Sequence, residues 1–97
     1  MYLVVSRWEV IPGKESEFEE RGRIMRDILR ATPGVRLTEG FLNEDGHAVA
    51  ILGYESEEAY NRIVNSEDGV FARAAAENRL DECGRWISSD RGVAVDA

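Results

Sequence analysis

Residues 54–75 read YESEEAYNRIVNSEDGVFARAA, and the way this stretch divides decides the fold. Tyr54 closes an apolar run. Ser56 then offers a hydroxyl to cap a short helix, with Glu57 and Glu58 in its first turn, where acids suit the positive end of the helix dipole. Asp68 and Gly69 make a tight turn, and a further helix is predicted to run from there to about Glu82.

Upstream, HAVAILGYE (47–55) is continuously apolar from Ala48 to Leu52, as a central strand covered on both faces requires. Asn43 to Gly46 form the turn that joins it to VRLTEGFLN (35–43), so these two strands make a hairpin. Thr32, Pro33 and Gly34 stop a helix from Lys14 to Ala31, in which Phe18, Met25, Ile28 and Leu29, with Gly22 between, fall on one face. Glu15 and Glu17 at its start and Arg26 and Arg30 at its end match the dipole, and Glu17–Arg21 and Glu19–Arg23 stand four apart. These charges read as a solvated face. Pro12 and Gly13 separate that helix from a first strand, YLVVSRWEV (2–10), and Trp86 to Val95 form the last strand, bent or ended near Gly92.

The order strand, helix, strand, strand, helical segment, strand is the split βαβ pattern of an α+β, ferredoxin-like fold with a four-stranded antiparallel sheet. Right-handed crossovers put both helical segments on one side of the sheet. Leu3 and Val5 nevertheless alternate onto the face opposite Val4 and Trp8. Two such sheets packed face to face would cover that apolar surface, so a homodimer is expected. With no internal repeat, low-complexity segment or linker, residues 1–97 read as a single domain.

Composition narrows the function. A fold of 97 residues buries only about 60–65% of the surface its unfolded chain exposes, a second reason to expect a partner subunit. Nineteen acids against twelve bases give a net charge of -7, which repels phosphate backbones and anionic lipid and speaks against nucleic acid or membrane binding. No apolar stretch approaches the roughly 20 residues of a membrane span, and no charged leader with an apolar run opens the chain, which points to the cytoplasm. Cys83, the only cysteine, rules out an internal disulfide, fits a reducing compartment and reads as a small apolar filler on a helix face. One His and one Cys do not make a zinc ligand set, and the carboxylates lack metal-loop spacing, so no metal is expected.

The natural cavity of such a fold lies between helices and sheet. On a continuous last helix, Ala72, Ala75, Ala76 and Cys83 share one direction with Arg79, opposite Arg73, Glu77 and Asp81. A guanidinium within an apolar stripe either snorkels to a carboxylate at the edge or anchors an anionic or carbonyl group of a ligand. Tyr54 and Tyr60 bring hydroxyls to apolar sites, where a backbone carbonyl or a ligand would take them. Trp8 and Trp86 read as core, and His47, just after the hairpin turn, is expected to see solvent. Ser56 lies in no nucleophile elbow, Ser88 and Ser89 have no local histidine, and no Gly-rich loop opens a helix. The residues alone thus support a dimeric domain with an apolar pocket and name no reaction.

The first strand followed by Pro12 and Gly13, the Pro33–Gly34–Val35 turn, the Asn43–Gly46 turn, and above all Glu55, Ser56, Glu57, Ala59, Tyr60 and Phe71 give the chain, over nearly its whole length, a pattern that resembles the antibiotic biosynthesis monooxygenase family. The resemblance implies a dimeric α+β barrel. Some members oxidise anthrones or quinols with molecular oxygen and without metal or flavin. An acidic substrate proton is removed, the anion passes an electron to oxygen, and the radicals recombine. For this chain the resemblance implies no cofactor, a small aromatic or polyketide-like substrate, Tyr60 and Tyr54 bonded to the substrate oxygen, Arg79 stabilising the anion, and Trp8 with Phe71 as an apolar wall. Ser6, Ile63 and Ala75, expected to line the substrate, stand where haem-degrading relatives carry asparagine, tryptophan and histidine, so haem would lack an axial imidazole. The tryptophan, asparagine and histidine of the anthrone-oxidising type become Tyr54, Ala50 and Phe41, and Gly69, Val70 and Phe71 occupy the place where quinol-oxidising relatives commonly have a histidine. Three functions stay open: a cofactor-independent monooxygenase, a non-catalytic small-ligand-binding dimer, and a haem-degrading enzyme.

Overall fold

A computed structural model describes residues 1–95. Strand β1 (Tyr2–Val10) leads into helix α1 (Glu15–Arg30), the hairpin β2 (Val35–Leu42) and β3 (Ala48–Tyr54), the short helix α2 (Glu57–Ile63), helix α3 (Val70–Glu77), a single 3₁₀ turn (Leu80–Glu82) and strand β4 (Gly84–Val93). The four strands form one antiparallel sheet in the order β2-β3-β1-β4. The helices pack on one face of it, which is the ferredoxin-like α+β arrangement the element order predicts. No helix among the described residues is long and apolar enough to cross a membrane.

Local chemistry sets the element boundaries. The Ser56 hydroxyl accepts from the Ala59 backbone N–H at 3.1 Å, which starts α2 as the sequence predicts. Gly34, at φ +101°, turns the chain from α1 into β2, and a β-carbon there would meet Arg62 Nη2, Ile63 Cδ1 and Ala59 Cβ at 2.9–3.4 Å. Only glycine combines that backbone with that proximity.

Three expectations need correction. The last helix does not run to Glu82: the Asn78 side chain donates to the Ala74 carbonyl at 2.9 Å, and Arg79 takes a left-handed conformation (φ 50°, ψ 48°) that breaks the helix. The break shifts the helical phase. Cys83, fully buried, therefore follows the 3₁₀ turn instead of sitting on a helix face, and within α3 itself the buried alanine is Ala74 rather than Ala76. The charges of α1 also pair differently: Glu17 faces Lys14 at 3.5 Å, while Arg21 donates to the Arg79 carbonyl at 2.9 Å and so ties α1 to the break. Nor is the arginine end of α1 purely a solvated face, because Arg30 Nη2 donates to the Thr38 carbonyl at 3.2 Å and Arg26 turns inward.

The core beneath the helices is divided. One cluster gathers Tyr2, Val4, Leu29, Tyr54, Ala59, Tyr60 and Ile63, and a second gathers Met25, Ala74, Leu80 and Cys83. On the opposite face of the sheet, Leu3 and Val5 of β1 lie beside Gly53 and Ile51 of β3, with no helix above them.

Candidate functional site

Between α1, the α2–α3 segment and the sheet opens a cleft of about 1250 Å³. Its floor follows from the strand register. Gly40 of β2 lies opposite Ala50 of β3, Ala50 opposite Ser6 of β1, and Ser6 opposite Ser89 of β4, so one row across all four strands carries only small side chains. At about 4.8 Å between strands this lane is about 14 Å long. The row on one side is Leu42, Ala48, Trp8 and Trp86, and the row on the other is Thr38, Leu52, Val4 and Arg91.

A β-bulge completes the floor. The β1–β4 register passes from Arg7↔Ser88 to Trp8↔Trp86, leaving Ile87 as the extra residue. In an unbulged strand residues 86 and 89 would point to opposite faces; the extra residue brings both to the cleft side. The two opposed indoles then make matching contacts: Trp8 Nε1 donates to Ser6 Oγ at 3.1 Å and Trp86 Nε1 to Ser89 Oγ at 2.9 Å. Each serine keeps its own O–H free to donate upward into the cleft.

All three tyrosines of the chain meet at the other side of the lane. The Tyr60 ring lies 5.4 Å from both the Tyr2 and the Tyr54 ring, edge-on to the latter. Arg91 Nη1 donates to the Tyr60 hydroxyl at 3.0 Å, and its guanidinium carbon stands 5.5 Å from the centroid of the Tyr60 ring. The hydrogen bond to Tyr60 raises the Arg91 pKa further, so the guanidinium stays charged. Tyr54 is only 1% exposed, and burial, followed by the neighbouring Tyr60, pushes its hydroxyl well above its ordinary value of 10. It is a proton donor and not a base at neutral pH.

Of the residues singled out from sequence, Ser6, Trp8, Tyr54, Tyr60 and Phe71 line the cleft together. Ile63 is sealed in the tyrosine cluster, and Ala75 lines a smaller hollow of about 370 Å³ that shares Trp8, Phe71 and Trp86 with the cleft. Arg79 does not enter the cleft: its side chain is 64% exposed and faces Glu82 at 3.8 Å, because the left-handed residue turns it away from the helix stripe. Arg91, bonded to Tyr60, borders the cleft instead. Sequence reasoning missed Arg91, because with Trp86 facing inward simple alternation turns residue 91 outward and only the bulge at Ile87 brings it to the cleft side. Arg26 and Thr38 also line the cleft without having been singled out. His47 is half-buried at the hairpin, its backbone N–H bonded to Asn43 Oδ1 at 2.9 Å, and does not border the cleft. Among the described residues no three His, Cys, Asp or Glu side chains converge to hold a metal ion.

Comparison with known proteins gives one consistent picture. Residues 1–77 match the family model described as antibiotic biosynthesis monooxygenase. None of the curated proteins matches the chain. Among solved structures, SnoaB of Streptomyces nogalater, described as a cofactor-independent oxygenase, superposes with a TM-score of 0.78 at 17% identity, covering 99% of this chain and 94% of that one. Rv0793 of Mycobacterium tuberculosis gives 0.79 at 20% identity, with 99% and 96% covered. PA3566 of Pseudomonas aeruginosa gives 0.75 at 16%, with 98% and 94% covered. At such identities these likenesses concern the fold.

Proposed function

The chain belongs to the antibiotic biosynthesis monooxygenase family, and from that membership we propose that it is a cofactor-independent monooxygenase acting in the cytoplasm on a small aromatic or polyketide-like anthrone or quinol. The observation that carries this reading is the charged hydrogen bond between Arg91 and Tyr60, at 3.0 Å, on the wall of an apolar cleft. A ring oxygen placed there meets a fixed positive charge and, from Tyr54, a hydroxyl that stays protonated. Both favour the anion over the neutral substrate.

The reaction balances without a cofactor. Loss of a ring C–H proton to water leaves an anion spread onto the ring oxygen, beside Arg91. One electron passes to oxygen, and the resulting superoxide and substrate radical combine to a peroxide. Protonation and loss of water convert the CH₂ group and O₂ into a carbonyl and H₂O. The protein's part is to bind the flat ring on the small-residue lane, hold its oxygen at Arg91 and Tyr60, and keep the peroxide from bulk water behind Trp8 and Phe71. We assign the helix-free face, with Leu3, Val5 and Ile51, to a homodimer in the manner of an α+β barrel.

A non-catalytic small-ligand-binding dimer is the second reading. It draws support from Tyr54, whose raised pKa removes it as a base, and from His47, which stands away from the cleft. Oxygen uptake with a panel of anthrones and quinols separates the two. The expected result is turnover that Arg91→Gln and Tyr60→Phe each slow by about tenfold to a hundredfold and that Arg79→Ala leaves unchanged. Binding of the panel without oxygen uptake would favour the second reading.

A further inference from the structure

The small-residue lane carries two hydroxyls whose protons nothing in the fold receives. Ser6 of β1 and Ser89 of β4 stand directly opposite each other in the register, and both line the cleft. Each already accepts an indole N–H, from Trp8 at 3.1 Å and from Trp86 at 2.9 Å. Among the described residues neither has an acceptor for its own O–H, although Ser6 is only 7% exposed and Ser89 is half-buried. A serine buried in a sheet ordinarily donates that proton to a carbonyl, and left over it is costly unless something in the cleft takes it. The indoles also prime the pair, because a hydroxyl whose lone pair is engaged by an N–H becomes a stronger donor. The bulge at Ile87 creates this arrangement, since without it Trp86 and Ser89 would face opposite sides of the sheet.

We propose that Ser6 and Ser89 form a two-donor oxyanion site for the oxygen that the reaction adds. Directly opposed residues hold their β-carbons about 4.5–5.5 Å apart, so one oxygen atom above and between the two hydroxyls lies within hydrogen-bond reach of both. The pair also stands in the right row. Ser89 is two residues from Arg91 on β4, about 6.8 Å along the strand. With the ring oxygen held at Arg91 and Tyr60, the carbon para to it comes over the serine row, and that is the carbon the anion presents to oxygen. The two hydroxyls stabilise the superoxide as it forms, and then the outer oxygen of the peroxide once the C–O bond has closed. They give hydrogen bonds and transfer no proton: the one that completes the hydroperoxide comes from water, and water leaves as the carbonyl forms. Ser6 and Ser89 are thus catalytic residues, and Trp8 and Trp86, acting through them, are positioning residues. This inference rests on the oxygenase reading of the cleft and adds where oxygen is held and by which groups.

Anthrone and 9,10-anthraquinone, compared under nitrogen, test it, because the quinone differs only in bearing an oxygen on the carbon that reacts. Fluorescence quenching of Trp8 and Trp86, the only tryptophans of the chain, reads the binding of both. The quinone should bind about tenfold tighter, as two neutral hydrogen bonds provide. Ser6→Ala and Ser89→Ala should each remove part of that preference and the double variant all of it, with anthrone binding unchanged. In air, each single variant should lower kcat for anthrone by about tenfold at unchanged KM, whereas Ser89→Thr, which keeps the hydroxyl, should hold most of the rate. Should the variants not fold, the unaltered protein decides: both indole N–H resonances should lie further downfield with the quinone than with anthrone, since only the quinone draws on the serine protons. Equal affinities, a preference that survives the double variant, an unchanged kcat, or indole resonances alike with both probes overturns the pair and leaves the aromatic cleft standing. Quinone preference without oxygen uptake overturns the oxygenase reading and the catalytic role together, leaving a carbonyl-binding pair. Failure of both probes to bind overturns the cleft reading as well.

Discussion

At the tyrosine end of the sheet, Tyr2, Tyr54, Tyr60 and Ile63 close on one another until Tyr54 and Ile63 have almost no exposed surface. At the tryptophan end, Trp8, Phe18 and Phe71 are only partly buried and Trp86 is 58% exposed, although the same sheet and the same helix α1 run through both regions. The difference comes from what stands above the floor. Helix α2 presents Ala59, Tyr60 and Ile63 in one turn, whereas α3 presents a single buried alanine and is cut short at Arg79. Cohesion is concentrated at one end, which frees the other to hold space and unsatisfied polar groups. A ligand that fills the lane would supply the packing that the chain omits.

Truncation should expose this contrast most strongly. Ile63→Ala removes a fully buried side chain with no room to collapse and should cost about 3–4 kcal/mol in urea unfolding, whereas Phe71→Ala, beside the cleft, should cost under about 2 kcal/mol. Equal losses would mean that the two ends are packed alike. Glycine replacement gives a finer comparison. Gly34→Ala combines a positive φ with the buried Ile63 and Ala59 at 3.3–3.4 Å and should cost about 2 kcal/mol. A β-carbon at Gly84 falls on the Phe18 ring, which can swing into the cleft, so Gly84→Ala should cost only about 1–2 kcal/mol and narrow the site.

Titration gives a third measure. Tyr54 holds its proton in the folded chain above the ordinary tyrosine value of 10, so its contribution is complete below about pH 10 and declines as pH rises beyond it, where only the unfolded chain releases the proton. Tyr54→Phe should remove about 1.4 kcal/mol per pH unit of that alkaline slope. Urea midpoints on either side of pH 10 would show it, and an unchanged slope would mean that the hydroxyl is already solvated. The smallest effect concerns the open end: Thr38→Val deletes an unpartnered buried hydroxyl and should stabilise the ligand-free protein by about 1 kcal/mol. A loss of stability would show that the hydroxyl is already satisfied.

The strands and most helix ends were legible because the signals were local. The β-branched and aromatic run at residues 2–10, the stop at Thr32–Gly34 and the Ser56 cap each act within a few residues. The end of α3 was not legible: a left-handed arginine has no sequence mark such as glycine, and one misplaced helical turn carried Arg79 to the wrong face. The bulge at Ile87 was equally silent, since an extra residue in β4 exists only relative to the register of β1. That Trp8, Tyr54, Tyr60 and Phe71 line the cleft was legible because large aromatics advertise themselves. That Arg26 and Thr38 line it was not, because their place follows from helical phase and strand register.

By itself, then, the sequence determined the order of elements, the sheet they form and the family, since periodicity, caps and turn residues are properties of neighbouring positions. Only the tertiary structure decided which cation faces the tyrosines, which row of the sheet is left bare of side chains and where polar groups wait without partners. Those are relations between residues far apart in the chain, fixed by register and helical phase, and a shift of one residue in either turns a side chain from the cleft to solvent.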